Sequence, residues 1–416
     1  MKRNILFLIV FSLCLIAPMQ CSDKSTESNS PANQPASPSD LTSGDKALAQ
    51  SDNIFGFKLF HEILNESGDD NVFISPLSVA LALTMIYNGA NGTTKDVMQT
   101  TLELQGMTSE EINQSCRNLI DILTAIDPSV AFNIANSIWY REGIPLQQDF
   151  IDVNAQYLYA EVQAIDFGES GAVDKINGWV SENTNGKIRS IVDVDQLQNL
   201  IMLLLNAIYF KGSWSDKFNA DLTTTQAFHI DDQNDVECDM MMKESTFDSY
   251  ANENYVAVRL PYGGDSAFNM IAVMPPANSD IDRLADQFDM DEWKTVLSNL
   301  HPFDCDLGLP KFEIKYEKSL VEALTALGMG EAFGIMADFS GMSAMSSLQL
   351  SNVVHKTYIE VNEEGTEAAA VTGGLIITTI TPAVLFDRPF LVFVYEKNSG
   401  AIIFAGRVMD PTVAAQ

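Results

Sequence analysis

The sequence predicts an α+β protein, and three observations carry that reading. Apolar residues at helical spacing dominate the first half, with Ile54, Phe55, Leu59, Phe60, Ile63 and Leu64 as the clearest stripe. From Phe228 onward short alternating runs separated by turns take over and close on a hairpin near the C-terminus. Between Glu367 and Asp387 no residue is charged, in a chain whose formal net charge is -32.

With 416 residues, 46% of them hydrophobic and 19% charged, the chain is long enough for one large or two medium domains. Its acidity argues against nucleic acid and against electrostatic attachment to anionic lipid. Residues 1–21 read as an export signal: Lys2-Arg3, an apolar run from Ile5 to Ile16 too short to span a bilayer comfortably, then Pro18-Met19-Gln20-Cys21. Residues 22–45 form a polar tether without periodicity. This start resembles a bacterial lipoprotein with Cys21 as the lipidated first mature residue. Met19-Gln20 stands where small residues are usual, so cleavage without lipid is the alternative. The expected location is the cell envelope, facing outward, or the medium, with membrane contact only through the anchor.

The domain proper is placed at 46–416. Val72 to Ile74 reads as a strand, followed by a Ser75 N-cap and Pro76 at the first helical position, with a stop at Asn88-Gly89. Thr108-Ser-Glu-Glu111 is a capping-box pattern that opens a helix with Ile112, Cys116, Leu119, Ile120 and Leu123 inward. Phe132 to Tyr140 reads as a strand. A helix buries Phe150, Val153, Tyr157 and Leu158, and another starting near Ile176 stops at Asn185-Gly186. Leu200 to Phe210 suits a strand covered on both faces, although periodicity alone leaves a helix open. Its Asn206 then needs partners, because an unsatisfied buried amide costs roughly 1–3 kcal/mol.

Strands are expected over Val236–Met242, Tyr255–Leu260 and Phe268–Met274, then a helix over Ile281–Phe288. Pro310 to Tyr316 alternates into a helix at Ser319–Leu327, and Leu391–Tyr395 pairs with Ala401–Gly406 over Lys397-Asn-Ser-Gly400. Cys116, Cys238 and Cys305 are too few and too widely spaced for a disulfide framework and read as packing residues.

The uncharged stretch has bland readings. A transmembrane helix is opposed by Thr372, Gly373, Gly374, Thr378, Thr379, Thr381 and Pro382, and a helix through Ala368–Ala370 would end at Gly373-Gly374. A flexible linker would be more polar. An extended chain fits better: Thr366, Ala368, Ala370, Thr372, Gly374, Ile376 and Thr378 share one small, uncharged face, with Glu367 on the other. Such a segment could enter a sheet as an added strand.

Glu363-Glu364-Gly365-Thr366-Glu367-Ala368-Ala369-Ala370 resembles the hinge of the serpins, inhibitors that insert a protease-cleaved loop into their own sheet. Phe386-Asp387-Arg388-Pro389-Phe390 is similar to the family's second signature. Phe73 to Ser78, Gly89 to Thr94, Ile176 to Ile188 and Lys211 to Trp214 extend the resemblance over about residues 46 to 411. It implies a serpin fold of about nine helices and three β-sheets, an exposed reactive-centre loop and a monomer. It also implies a shutter of Ser75, Ser78, Asn206 and His355 beneath the point where the central strands part, with Trp214 over the top of that breach. An ordinary buried polar network is the equal alternative for that cluster. The family's spacing from hinge to cleavage site implies a reactive bond at Thr378-Thr379 or Thr379-Ile380.

Enzyme signatures fail one by one. No Gly-x-Ser-x-Gly elbow is present, His61-Glu62-Ile-Leu-Asn65 lacks the second zinc ligand, and Asp231 to Asp235 lacks the glycine and closing glutamate of a calcium loop. Gly328-Met-Gly330 lacks the third glycine of a dinucleotide site. No metal or cofactor is expected, and the chemistry belongs to a partner. The leading reading is an inhibitor of a serine protease, elastase-like or subtilisin-like because Ile377, Thr378 and Thr379 are modest in size and the loop holds no Lys or Arg. A papain-like cysteine protease is the further candidate. A serpin-fold binding protein without inhibition and an unrecognised surface hydrolase are the alternatives.

Overall fold

The structure, a computed structural model, describes residues 41–197, 200–277, 279–345, 348–350, 353–366 and 382–413. Helix α1 (Ser43–Ser67) opens on a capping box in which Thr42 Oγ1 accepts from the Asp45 amide at 3.1 Å and Asp45 Oδ2 accepts from the Thr42 amide at 2.8 Å. That reciprocal cap starts the helix ahead of the expected tether boundary at 45, which lies inside its first turn. Phe55, Leu59, Phe60, Ile63 and Leu64 are buried as the stripe predicts, while Ile54 is half-buried at its margin.

Strand β1 (Val72–Ile74) leads through Ser75 into α2 (Pro76–Tyr87), with Ser75 as its N-cap and Pro76 at the first turn. The polar α3 (Gly92–Thr101), which the sequence reads only as an exit turn, follows at once. Helix α4 (Ser109–Ala125) carries the Thr108–Glu111 capping box and buries all five predicted residues. After β2 (Ala131–Arg141) come α5 (Gln148–Leu158), β3 (Glu161–Ile165), α6 (Ala172–Asn183), α7 (Val194–Leu197) and β4 (Met202–Lys211). In α5 Phe150 and Leu158 are buried as expected, but Val153 and Tyr157 are half-buried and Asn154 takes the inward position between them.

The second half supplies β5 (Thr224–His229), the long β6 (Asp235–Ala251), β7 (Val256–Pro261), β8 (Phe268–Met274), α8 (Ile281–Gln287), α9 (Met290–Asn299), β9 (His301–Pro310) and β10 (Phe312–Ser319). The chain ends with α10 (Val321–Ala326), β11 (Val354–Val361), β12 (Ala383–Leu385), β13 (Phe390–Glu396) and β14 (Ile402–Val408). Ten α-helices thus stand among the described residues, and none is long and apolar enough to cross a membrane. Cys116, Cys238 and Cys305 are buried and unbonded.

The strands form three hydrogen-bonded sheets. The largest has nine strands, in the order β1-β14-β13-β8-β7-β6-β9-β12 with β5 added on β6. Its interior strands β8, β13 and β14 are buried along their whole length, so Phe268–Met274, expected to alternate, is covered on both faces. The others are a three-stranded sheet β3-β2-β4 and a two-stranded sheet β10-β11. A second, smaller core of Trp139, Ile165, Phe167, Ile176, Val180 and Leu205 forms where α6 lies over the three-stranded sheet.

Strand β4 corrects one expectation. Leu203, Leu204 and Ile208 are half-buried where coverage on both faces was expected, because β4 pairs with β2 on one side and with no strand of the described chain on the other. Among the described residues the most apolar run of the body therefore has a strand partner on one side only.

Candidate functional site

Strands β4 and β11, which do not pair with each other among the described residues, lead to a common end. Beyond β4 the chain continues through Gly212, Ser213 and Trp214; beyond β11 it continues through Asn362 to Thr366. There the two continuations join, since Ser213 bridges Gly365, the Thr366 amide donates to Gly212 O at 2.7 Å, and the Trp214 amide donates to Glu364 O at 2.8 Å. Two half-sheets that share no strand pairing among the described residues are thus tied at one mouth.

Each residue at this mouth has a physical reason to be there. Gly365 has φ +132°, and a Cβ on it would collide with Gly212 O and approach Ser213 Cα to 2.7 Å, so only glycine fits. Trp214 is buried, stacks on Tyr262 with ring centroids 4.4 Å apart, and donates from Nε1 to Asn362 O at 2.9 Å. Thr366 is only 4% exposed, and its hydroxyl lies 3.1 Å from the Tyr262 hydroxyl. Lys217 pairs with Glu364, and Glu363 accepts from Thr223 Oγ1 at 2.8 Å and meets Lys311 Nζ at 3.3 Å. Burial opposes the charge on Glu363, but its own amide, Thr223 and Lys311 together hold the carboxyl below its ordinary range. The hinge is seated, with the first residue of its small face already inward.

Beneath the gap the four polar residues singled out from the sequence come together. His355 Nε2 accepts from the Ser75 amide at 2.9 Å, Ser75 Oγ donates to Ile403 O at 2.7 Å and accepts from the Ser78 amide at 3.2 Å, and Ser78 Oγ donates to Asn206 Oδ1. The chain of contacts continues from Asn206 Nδ2 to Asn136 Oδ1 at 2.7 Å and from Asn136 Nδ2 to Leu158 O at 2.6 Å. Since the backbone amide can only donate, His355 Nε2 carries no proton, and burial pushes the imidazole pKa down to about 4. The network joins β4 to β11 through the N-terminus of α2.

On the opposite face the segment after α6 crosses both half-sheets. Asn185 Nδ2 donates to Tyr209 Oη on β4 at 3.2 Å, whereas Lys187 lies over the Tyr358 ring at 4.8 Å and 3.6 Å from Glu360 on β11. Lys356 Nζ donates to Ser190 O at 3.1 Å.

Sequence reading missed several of these residues. Asn136 carried the same signal as Asn206, a polar residue on the buried alternation of Phe132, Ile134 and Ile138, and the two face each other in the β2–β4 register. Tyr262, Lys217, Lys311 and the crossing segment are recruited from distant turns and had no local signature.

The rest of the hinge, Glu367 to Ala370, the reactive-bond candidates Thr378, Thr379 and Ile380, and Cys21 lie outside the described residues. The described chain resumes at Pro382, and β12 pairs in parallel with β9. Among the described residues no cluster could hold a metal ion.

A family model described as "Serpin (serine protease inhibitor)" matches residues 50–411. Mouse neuroserpin is 32% identical over 372 residues, covering 85% of this chain and 89% of that protein. Intracellular coagulation inhibitor 2 of Tachypleus tridentatus is 31% identical over 368 residues, covering 86% and 90%. Among solved structures, human thyroxine-binding globulin complexed with thyroxine matches with a TM-score of 0.81 at 28% identity, over 89% of this chain and all of that one.

Proposed function

The chain belongs to the serpin family, and from that premise we propose that it inhibits a serine protease by acting as a suicide substrate. The protease serine attacks the carbonyl of Thr378 or Thr379, the peptide bond breaks, and the new amine leaves with a proton while the acyl group stays on the serine oxygen. The freed loop then enters between β4 and β11 and carries the acyl-enzyme with it before water can complete hydrolysis. The observation that carries this reading is a pair of half-sheets, ending in β4 and in β11, that share no strand pairing among the described residues and are closed at one end by a hinge whose Thr366 is already buried. The small, uncharged face that continues from Thr366 suits the same slot.

Lacking Lys and Arg, the loop offers nothing to a pocket with a buried aspartate, whereas β-branched Thr378 and Thr379 suit the shallow pockets of elastase-like or subtilisin-like proteases. Incubation with elastase, subtilisin, trypsin and papain, followed by denaturing electrophoresis and mass spectrometry, tests both points. The expected result is a complex with elastase or subtilisin that survives denaturation, and cleaved protein that melts well above the intact form. Cleavage without any stable complex would instead make this a serpin-fold binding protein, and efficient inhibition of trypsin alone would overturn the specificity.

Export by residues 1–21 and anchoring through a lipid on Cys21, with 22–40 as tether, complete the proposal. Cys21→Ala is expected to move the protein from the membrane fraction to the soluble one; an unchanged membrane fraction would remove the lipid.

A further inference from the structure

Helix α4 hands over to β2 through a short loop whose Asp127 is only 5% exposed. Its Oδ1 accepts from the Ser129 amide at 2.9 Å and from the Ser129 hydroxyl at 2.5 Å. Ser129 Oγ in turn accepts from the Gly264 amide at 2.9 Å; since an amide can only donate, the single hydroxyl proton goes to Asp127 and the oxygen is left to accept. The other carboxylate oxygen, Oδ2, is buried with no hydrogen-bond partner among the described residues. It lies against Gly263, where a Cβ would collide with it and where φ is +72°. The carboxyl and the Gly263-Gly264 turn are therefore fitted to each other by hydrogen bond and by shape.

The same turn reaches the mouth where β4 and β11 end. The Gly263 amide donates to Ser213 O at 2.8 Å, and Ser215 Oγ donates to Gly263 O at 2.6 Å. Ser213 is the residue bridged to Gly365. Tyr262, immediately before the turn and fully buried, carries both the ring on which Trp214 stacks and the hydroxyl beside Thr366. We propose that Asp127 is a positioning residue for the hinge: it orients the Ser129 hydroxyl, that hydroxyl holds the Gly263-Gly264 turn, and the turn sets the place of Ser213 and of the Tyr262 ring. The loop after α4 thereby governs how firmly Gly365 and Thr366 are seated.

Its bearing on inhibition rests on the function proposed above, so the test reads the seat itself, in the full protein without a protease, by hydrogen exchange of the Trp214 and Thr366 amides beside those of β13. Asp127→Ala is expected to accelerate exchange of the Trp214 and Thr366 amides about tenfold and to leave β13 unchanged. Ser129→Ala should do the same, and the double variant no more than either, because the two residues act in series. Asp127→Asn keeps an accepting oxygen and should hold exchange within about twofold of wild type. Unchanged exchange of the Trp214 and Thr366 amides in Asp127→Ala, or an equal acceleration in β13, would overturn the proposal, as would Asp127→Asn behaving like Asp127→Ala. Failure to trap any protease would count against the inhibitory reading alone, with these exchange rates as expected.

Discussion

Replacing Thr366 by Arg separates insertion from cleavage. In the intact protein the new guanidinium has an escape, because unseating the hinge gives up the Thr366–Gly212 and Thr366–Tyr262 hydrogen bonds, worth about 1–3 kcal/mol together. Keeping the hinge seated would bury an unpaired charge at a cost of about 3–5 kcal/mol, so unseating wins. The inserted loop has no such escape if Thr366 must face inward. Insertion is therefore handicapped by the difference, about 2 kcal/mol, or roughly 30-fold in rate. Deacylation by the protease is untouched and takes over. The assay is the stoichiometry of inhibition, read beside the fraction of complex that survives denaturation. Thr366→Arg should turn the protein into a substrate, whereas Glu367→Arg, one position along and on the opposite face, should change little. Wild-type stoichiometry in Thr366→Arg, or equal damage from both changes, would refute the reasoning.

Gly365→Ala meets the Gly212 carbonyl at a backbone angle that only glycine adopts easily, so the hinge should unseat, and hydrogen exchange of the Thr366 and Trp214 amides should accelerate about tenfold or more. His355 titrates near pH 4 when folded against an ordinary 6.5, so the unfolded chain takes up its proton first as pH falls. Its contribution is complete above pH 6.5 and declines by roughly 3 kcal/mol on the way to pH 4. Buried Asp52, with a pKa raised to about 7 by burial, has the opposite slope over an overlapping window, because there the folded protein holds the extra proton. The measurement is thus the stability difference between wild type and His355→Gln at pH 7 and pH 4. A difference that does not change with pH would show that the imidazole titrates alike in the folded and unfolded chain and would refute the burial argument.

Locally encoded features were legible. The Ser75-Pro76 helix start, the Thr108 capping box and the strands β8, β13 and β14 each depend on neighbours within a few residues, so composition and spacing report them. Features set by distant partners were not. Strand β9 begins and ends near prolines and carries three aspartate or histidine side chains, which hides the inward alternation of Cys305, Leu307 and Leu309; it is a strand because β6 lies along it. Strand β6 exceeds the expected Val236–Met242 because it serves different partners along its length, β5 and β9 before β7. In the site, Asn206 was visible as a polar residue in an apolar run, while its link through Ser78 to the His355 strand required three segments to meet.

The position of the last strands decides what a cut in the loop looks like from outside. A break at Thr379-Ile380 leaves residues 380–416 as a separate polypeptide, yet β13 and β14 lie in the interior of the nine-stranded sheet, with β8 on one side and β1 on the other. That piece cannot diffuse away without dismantling the main core. Cleavage there would therefore cost no mass under native conditions and become evident only once the chains are denatured.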